Sequence, residues 1–498
     1  MMRKNIFIIV LFAARMTNHV VAQTNAEIML PTLLESIEIG LKNNYDIKNN
    51  QLQVEKSKGD KQSAKGVFDP SLNVNVSTMS GILLPDKDRN PSSLNLSLTV
   101  PTKLGINAST GFVSSQTKDP TNNDATQLVN GTWLQLDMPL LKGIGKSNMN
   151  LLNQNIAALN LASTQVSFDY EVTRFIKNVT LAYLKIVYKD RANKDHEVII
   201  HDLEAYKDTL QQKINNNTVG SVEILNVKAE LAQLKSDLNS AYNEIKNDYL
   251  DYRKLLGLET ASLTTQNFAA PEAPPAMEGA EIKRYVSDVL IRKSDIARQS
   301  LAFKKQKLKE ESLSKEVKIA NYAKRNDLSL QLRYNYYSEV DGGRWNSFWI
   351  YPQTSSYPPG SSYLLTLTYK LPFGNNAAKG AYMAKKSDYE FQKTSNEQLL
   401  FEMETNVETL SNDLLNSVEA LETQKEIAKL REQIYLNEVS KYHEHTTQMN
   451  VLNAHQGYME SLLTIQLKEY AVYSNWLNLK FLCNDIPQNF EQLSALLK

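Results

Sequence analysis

From Ser147 to Gly220 the chain has neither proline nor glycine, and within that run apolar residues recur at three- and four-residue intervals. Ile156, Leu159, Val166, Tyr170, Ile176, Val179, Tyr183 and Ile186 hold the frame, and Ser163 and Thr173 fill two of its slots. The spacing predicts one helix. At 1.5 Å per residue, roughly 65 residues make a rod of about 100 Å. Ordinary globular helices are far shorter, so the chain must belong to an extended, coiled-coil-like array. The small and polar slots suit broad packing among many helices rather than one tight seam.

The rod does not stand alone. A turn at Asn215–Gly220 leads into a return helix, Val222–Leu256, about half as long, which Gly257 is placed to stop. A second Pro-free run spans Ala377 to Tyr442, and a second return helix starts near Gln448. Leu225-Asn226 and Leu452-Asn453 stand at the same place after the two turns. Each rod follows an alternating stretch that ends at a proline, Met138-Pro139 in one half and Leu371-Pro372 in the other. A Pro-rich connector, AAPEAPPAMEG from Ala269, separates the halves. An internal duplication of this size fixes the architecture.

The alternating stretches read as strands. Leu72, Val74 and Val76 fall on one face, and Asn73, Asn75 and Ser77 on the other. Leu94 to Val100 repeats the pattern, and Leu104–Val113 and Thr132–Met138 are weaker copies. In the second half, Leu328–Tyr336 and Tyr363–Leu371 alternate. One apolar face beside a Ser/Thr/Asn face fits a barrel wall between lipid and water. It also fits a soluble sandwich, and the strands alone leave both open. Helices precede each set of strands: 33–65, with a break near Asn43–Asp46, and 282–324.

Composition narrows the partners. The 498 residues carry no net charge, which points to neither nucleic acid nor an acidic surface. The single cysteine, Cys483, excludes an internal disulfide and reads as a small buried hydrophobe. Arg3 and Lys4 followed by the apolar Ile6–Ala14 read as an export signal ending near Ala22. No run is long and apolar enough for a membrane helix. There is no phosphate loop, nucleophile elbow or metal signature, so neither an enzyme nor a cofactor is expected. His443, Glu444 and His445 read as an exposed polar turn before they read as a metal or pH site. Trp345 and Trp349 fit either an interfacial girdle or loop packing, and Tyr363 and Tyr369 fit the girdle better.

The order of these segments resembles the TolC family of outer membrane efflux proteins over about 31–485. The resemblance is carried by TLLESIEIGLKNNYDIKNNQLQVEKSKGDKQSAKGVFDPSLNVNVS, LDMPLLKG, TVGSVEILNVKAELAQLKSDLNSAYNEIKNDYLDYRKLLGL, LTLTYKLPFG and MNVLNAHQGYMESLLT. It implies an α+β membrane protein: a homotrimer with an outer-membrane β-barrel continuous with a long periplasmic α-helical barrel, internally duplicated. The implied role is a passive conduit in a tripartite efflux or type I secretion system. Its partners would be a periplasmic adaptor, an inner-membrane transporter and outer membrane lipid. The competing reading is a periplasmic coiled-coil adaptor or structural protein.

The implied division is a signal peptide at 1–22, periplasmic helices at 23–70, barrel strands at 71–140 and rod with return helix at 141–260. After the connector at 261–280, periplasmic helices at 281–327, strands at 328–372 and rod with return helix at 373–485 follow, before a tail at 486–498. The two turns would form a periplasmic aperture. Where some members carry acidic residues facing the pore in the second return helix, this chain has Asn450 and Asn453. An acidic residue of the first return helix is matched by Glu223, and a gate tyrosine by Tyr442. No arginine matches the family's closing network among Thr446, Thr447 and Gln448. The resemblance therefore implies an aperture closed more by packing and hydrogen bonds than by a ring of carboxylates. The family plan has two strands per half, which four strands in the first half would not fit.

Overall fold

The computed structural model describes residues 28–78, 92–119, 125–215, 221–259, 268–269, 277–341, 358–441 and 448–486. The expected export signal, Trp345, Trp349, Tyr442 and the His443–His445 cluster lie outside the described residues.

The chain opens with a short strand, β1 (Ile28–Met29), and two helices, α1 (Leu33–Asn43) and α2 (Tyr45–Gly66). Four strands follow: β2 (Ser71–Thr78), β3 (Ser92–Pro101), β4 (Asn107–Asp119) and β5 (Ala125–Pro139). Then come the rod α3 (Met149–Asn215) and its return α4 (Ser221–Leu255). A short strand β6 (Phe268–Ala269) pairs in parallel with β1. The second half has α5 (Gly279–Ile291), α6 (Lys293–Gln299), α7 (Leu301–Ala323), β7 (Asp327–Asp341) and β8 (Gly360–Lys370). It ends with α8 (Asn376–Lys441) and α9 (Gln448–Leu482).

The two rods match in length, 67 residues for α3 and 66 for α8, and both return helices have 35. The first half supplies four strands where the second supplies two, and the stretches at 104–113 and 132–138 are parts of full-length strands. The helical region at 282–324 is divided into three helices. Arg292 closes α5, and Ser300 leaves helical geometry so that its hydroxyl accepts from the Phe303 amide at the start of α7.

The expected break near Asn43–Asp46 is centred on Asn44. Its side chain accepts from the amides of Asp46 and Ile47, capping α2. Its Nδ2 donates to the Leu255 carbonyl at 2.8 Å, so the same residue caps the end of α4. Gly257 follows with φ +69, and a Cβ there would meet the Asn43 carbonyl oxygen at 2.6 Å. Only glycine offers both the left-handed backbone and the space.

Both rods begin where the sheet ends. Asn148 accepts from the Asn150 amide and donates to the Lys103 carbonyl in the β3–β4 turn. Asn375 donates to the Lys324 carbonyl at the end of α7. Near the sheet α3 lies against α2 and α7, and farther out against α4 and α9. Short helices thus complete the length that the return helices leave open. One core joins α1, α3, α4 and α9 around Val179, Ile186, Ile245 and Tyr252. A second joins α5, α8 and α9 around Val286, Leu414 and Leu479. Thr173 is buried within α3, as the polar slots of the frame predict.

Gly257→Ala is expected to lower stability by about 1–3 kcal/mol, from left-handed strain plus displacement of the α1–α2 turn. Thermal melting followed by helical circular dichroism checks it; a melting point unchanged from the native protein would mean that this turn bears no load.

Candidate functional site

The strands form one antiparallel sheet in the order β2-β3-β4-β5-β7-β8. Its register has no interruption, so each face can be read across all six strands. One face carries Leu72, Val74 and Val76, then Leu94, Leu96 and Leu98, then Phe112, Leu134 and Leu136. It continues through Leu330, Leu332 and Tyr334 to Leu367, Leu365 and Tyr363. The other carries Asn73 and Asn75, Asn95 and Ser97, Ser109, Gln135 and Asp137, Gln331, Arg333 and Asn335, and Thr366. Asp119, Asp137, Asp327, Arg333, Glu339, Asp341 and Lys370 all fall on this polar face, and Lys118, near the end of β4, is the one ionised strand residue on the apolar face.

The apolar face is uncovered over much of its extent: Leu72, Val74, Val76, Leu134, Leu365 and Leu367 are exposed. Tyr363 and Tyr369 lie on it with Leu365 and Leu367 between them. Six residues of strand separate the two tyrosines by about 20 Å. That is comparable with the apolar band of an outer-membrane wall between its aromatic girdles. Tyr334 packs against Tyr363 with ring centroids 5.0 Å apart. Both edge strands, β2 and β8, have exposed side chains and no strand beyond them among the described residues.

At the far end of the rods α3, α4 and α9 converge. Leu203, Tyr206 and Leu210 of α3 pack with Val227 of α4 and Leu452 of α9. His455 of α9 sits 3.1 Å from Asp202 of α3, and its ring lies 4.9 Å from that of Tyr435 in α8. Asn450 and Asn453, one helical turn apart, are exposed on α9, and Leu452 turns into the cluster. Glu223 lies in the first turn of α4. The start of α4 and the start of α9 therefore share one end of the molecule. The two Leu-Asn pairs do not hold equivalent places: Leu225 is exposed, whereas Leu452 is buried.

The α3–α4 pair is pinned by charge. Lys185 lies 2.6 Å and Lys189 2.8 Å from Asp248. Burial pushes the Asp248 carboxyl up, but hydrogen bonds from Lys185 and Lys189 outweigh it and hold the group below its ordinary value. Asp195 moves the other way: burial raises it and outweighs the hydrogen bond from the Gln466 amide of α9. Cys483 is partly buried beside the second core, and burial pushes its thiol up to about 11. No group of metal-ligating side chains occurs among the described residues, and no described helix is long and apolar enough to cross a membrane.

An open six-stranded sheet with one apolar face is thus joined directly to two rods of about 100 Å. Comparison with known proteins gives the same fold. No family model and no curated protein sequence matches the chain. Among solved structures, the outer membrane protein VceC from Vibrio cholerae aligns with a TM-score of 0.64 at 12% identity, over 91% of this chain and 95% of that one. The Campylobacter jejuni CmeC outer membrane channel aligns at 0.63 and 11%, over 93% and 88%. The open state of the Neisseria gonorrhoeae MtrE outer membrane channel aligns at 0.61 and 12%, over 91% and 89%. The chain thus has the fold of these outer membrane channels, the fold that its sequence resemblance to the TolC family implies.

Two outcomes test the far end. Leu452→Ala is expected to cost about 2–4 kcal/mol of local stability and to speed proteolysis there, whereas Asn453→Ala leaves both unchanged. Equal effects would place Leu452 outside the cluster. A carboxylate held low contributes stability that is present above its unfolded value and lost as pH falls through its folded value. Hydrogen-exchange protection at the α3–α4 contact, taken relative to the intrinsic amide rate at each pH, is therefore expected to fall below the ordinary carboxylate range, and Asp248→Asn removes that acid step.

Proposed function

We propose that the chain is one protomer of a homotrimeric outer membrane channel, a passive conduit across the outer membrane and periplasm. The observation that carries this reading is the division of the sheet: an apolar face exposed over much of its extent and interrupted by the buried row Ser114, Asn130 and Ser338, with almost every ionised strand residue on the opposite face. In this reading the apolar face meets outer membrane lipid and the polar face lines water. Three six-stranded sheets close into one barrel, β2 of one copy beside β8 of the next. The matched rods and return helices of the two halves are the products of an internal duplication and form the periplasmic helical barrel. Residues 1–22 are the export signal. The protein catalyses nothing; its cargo is driven by an inner-membrane transporter reached through a periplasmic adaptor, as in tripartite efflux or type I secretion.

The starts of α4 and α9, with Tyr442, form the aperture in this reading. Glu223, Asn450 and Asn453 face its narrowest point, and closure rests on packing and hydrogen bonds rather than on a carboxylate ring. The competing reading, a soluble adaptor or structural protein, requires a second layer over the apolar face. Among the described residues no sheet or helix covers Leu72, Val74, Leu365 or Leu367.

A heat-modifiable trimer in the outer-membrane fraction is the expected state; a soluble monomer would remove the proposal. In planar bilayers Glu223→Ala is expected to raise single-channel conductance. Asn450→Asp with Asn453→Asp is expected to raise potassium-over-chloride preference about threefold, by restoring a three-fold acidic ring. Unchanged conductance and selectivity in both variants would move the aperture elsewhere.

A further inference from the structure

Resting on the channel reading above, we propose that Arg333 and Trp133 form an anion-selecting element in the barrel wall, repeated in each protomer of the trimer. Both side chains are on the polar face, Trp133 in β5 and Arg333 in β7, on diagonal positions of the register: Trp133 pairs with Asn335 and Gln135 with Arg333. The guanidinium lies over the indole, 4.8 Å from the ring centroid. The ring is held in turn by Gly111, its partner in β4, where a Cβ would come within 2.6 Å of the indole. Only an open glycine surface lets the indole lie flat enough to carry the guanidinium.

The charge is positioned without being neutralised. Arg333 Nε donates to Asn335 Oδ1 at 2.7 Å, and Asn335 Nδ2 donates onward to the Ser362 hydroxyl at 3.3 Å. These partners are neutral. Among the described residues no carboxylate lies within ion-pair distance of Arg333. The nearest acid by register, Asp137, is engaged otherwise: Gln135 Nε2 donates to one of its oxygens at 2.8 Å and Gln331 Nε2 to the other at 3.1 Å. Two amides thus engage both oxygens of the acid, and an aromatic face and one amide orient the base. Among the described residues the terminal guanidinium nitrogens have no hydrogen-bond acceptor, which leaves their donors for a solute. A planar fork of donors on a rigid aromatic support suits carboxylates, phosphates and other small oxyanions as well as chloride. Rings of arginine are a physical means of favouring anions in a pore.

The pairing places this selection in the strand wall, apart from the helical aperture.

The test is the reversal potential of the purified full-length trimer in a planar bilayer under a potassium chloride gradient. Arg333→Gln is expected to lower the chloride-over-potassium permeability ratio about twofold, and Arg333→Lys, which keeps the charge, to stay within that margin of the native value. Trp133→Leu, which removes the support and leaves the charge, is expected to fall between. A native-sized conductance with an unchanged ratio in Arg333→Gln overturns this proposal and leaves the channel reading intact. Absence of any conductance from the native trimer overturns the channel reading and this proposal with it. Should a variant fail to assemble, the pair Arg333→Lys and Arg333→Gln is compared on trimers selected for heat-modifiability, where equal ratios again overturn the proposal.

Discussion

The backbone of two edge strands governs everything else in this molecule. Strand β2 has β3 on one side and β8 has β7 on the other, and each leaves a full row of peptide donors and acceptors with no strand beside it among the described residues. Such a row is tolerated in water, where edges are usually short, charged or covered. Here the edges carry Leu72, Val74, Val76, Leu365 and Leu367 in exposed positions. Within lipid each unpaired peptide group would cost several kcal/mol, so only a closed barrel is admissible. Each neighbouring pair from β2 through to β8 is antiparallel, so the two edges run in opposite directions. Copies of the sheet placed side by side therefore continue one antiparallel wall. The proposed trimer is one assembly that would meet that requirement.

The rods are subject to a different constraint. A helix of 67 residues has no use as a monomeric core element, and α3 meets it by taking different partners along its length. Toward the sheet these are α2 and α7; beyond them are α4 and α9. Mixed apolar and polar contacts suit this arrangement. Val179, Ile186 and Tyr252 supply burial, while Ser57 with Thr164, Lys185 with Asp248 and His455 with Asp202 fix register along the bundle. Polar seams of this kind add little net stability and much specificity of alignment.

Much of this was legible in the residues, for physical reasons that differ by element. Alternation at Leu72–Ser77 reports its two faces directly, because strand periodicity is local. The Pro- and Gly-free runs report the rods, and Gly257 reports the end of α4 through a backbone angle that other residues resist. Asn43–Asp46 marked a break, although not that Asn44 would also cap a helix more than two hundred residues away. The division at Ser300 was hidden because a serine within a charged helical run carries no strong local signal against helix. The full lengths of β4 and β5 were hidden because these polar strands take their regularity from neighbours. The difference between Leu225 and Leu452 depends on what packs beside each helix, which a repeat in sequence does not encode. The pairing of Trp133 with Arg333 needs the register between β5 and β7, set by tertiary structure alone.

The most direct test of this account is cross-linking of the edges. In a Cys483→Ser background, Val74→Cys in β2 is combined with single cysteines placed in turn from Ser362 to Thr368 in β8, and outer membranes are oxidised. The account predicts disulfide-linked dimers and trimers at one or two adjacent same-face positions of β8, reverting to monomer on reduction. Protein that reaches the outer membrane yet remains monomeric at every β8 position would contradict closure of the wall by neighbouring copies.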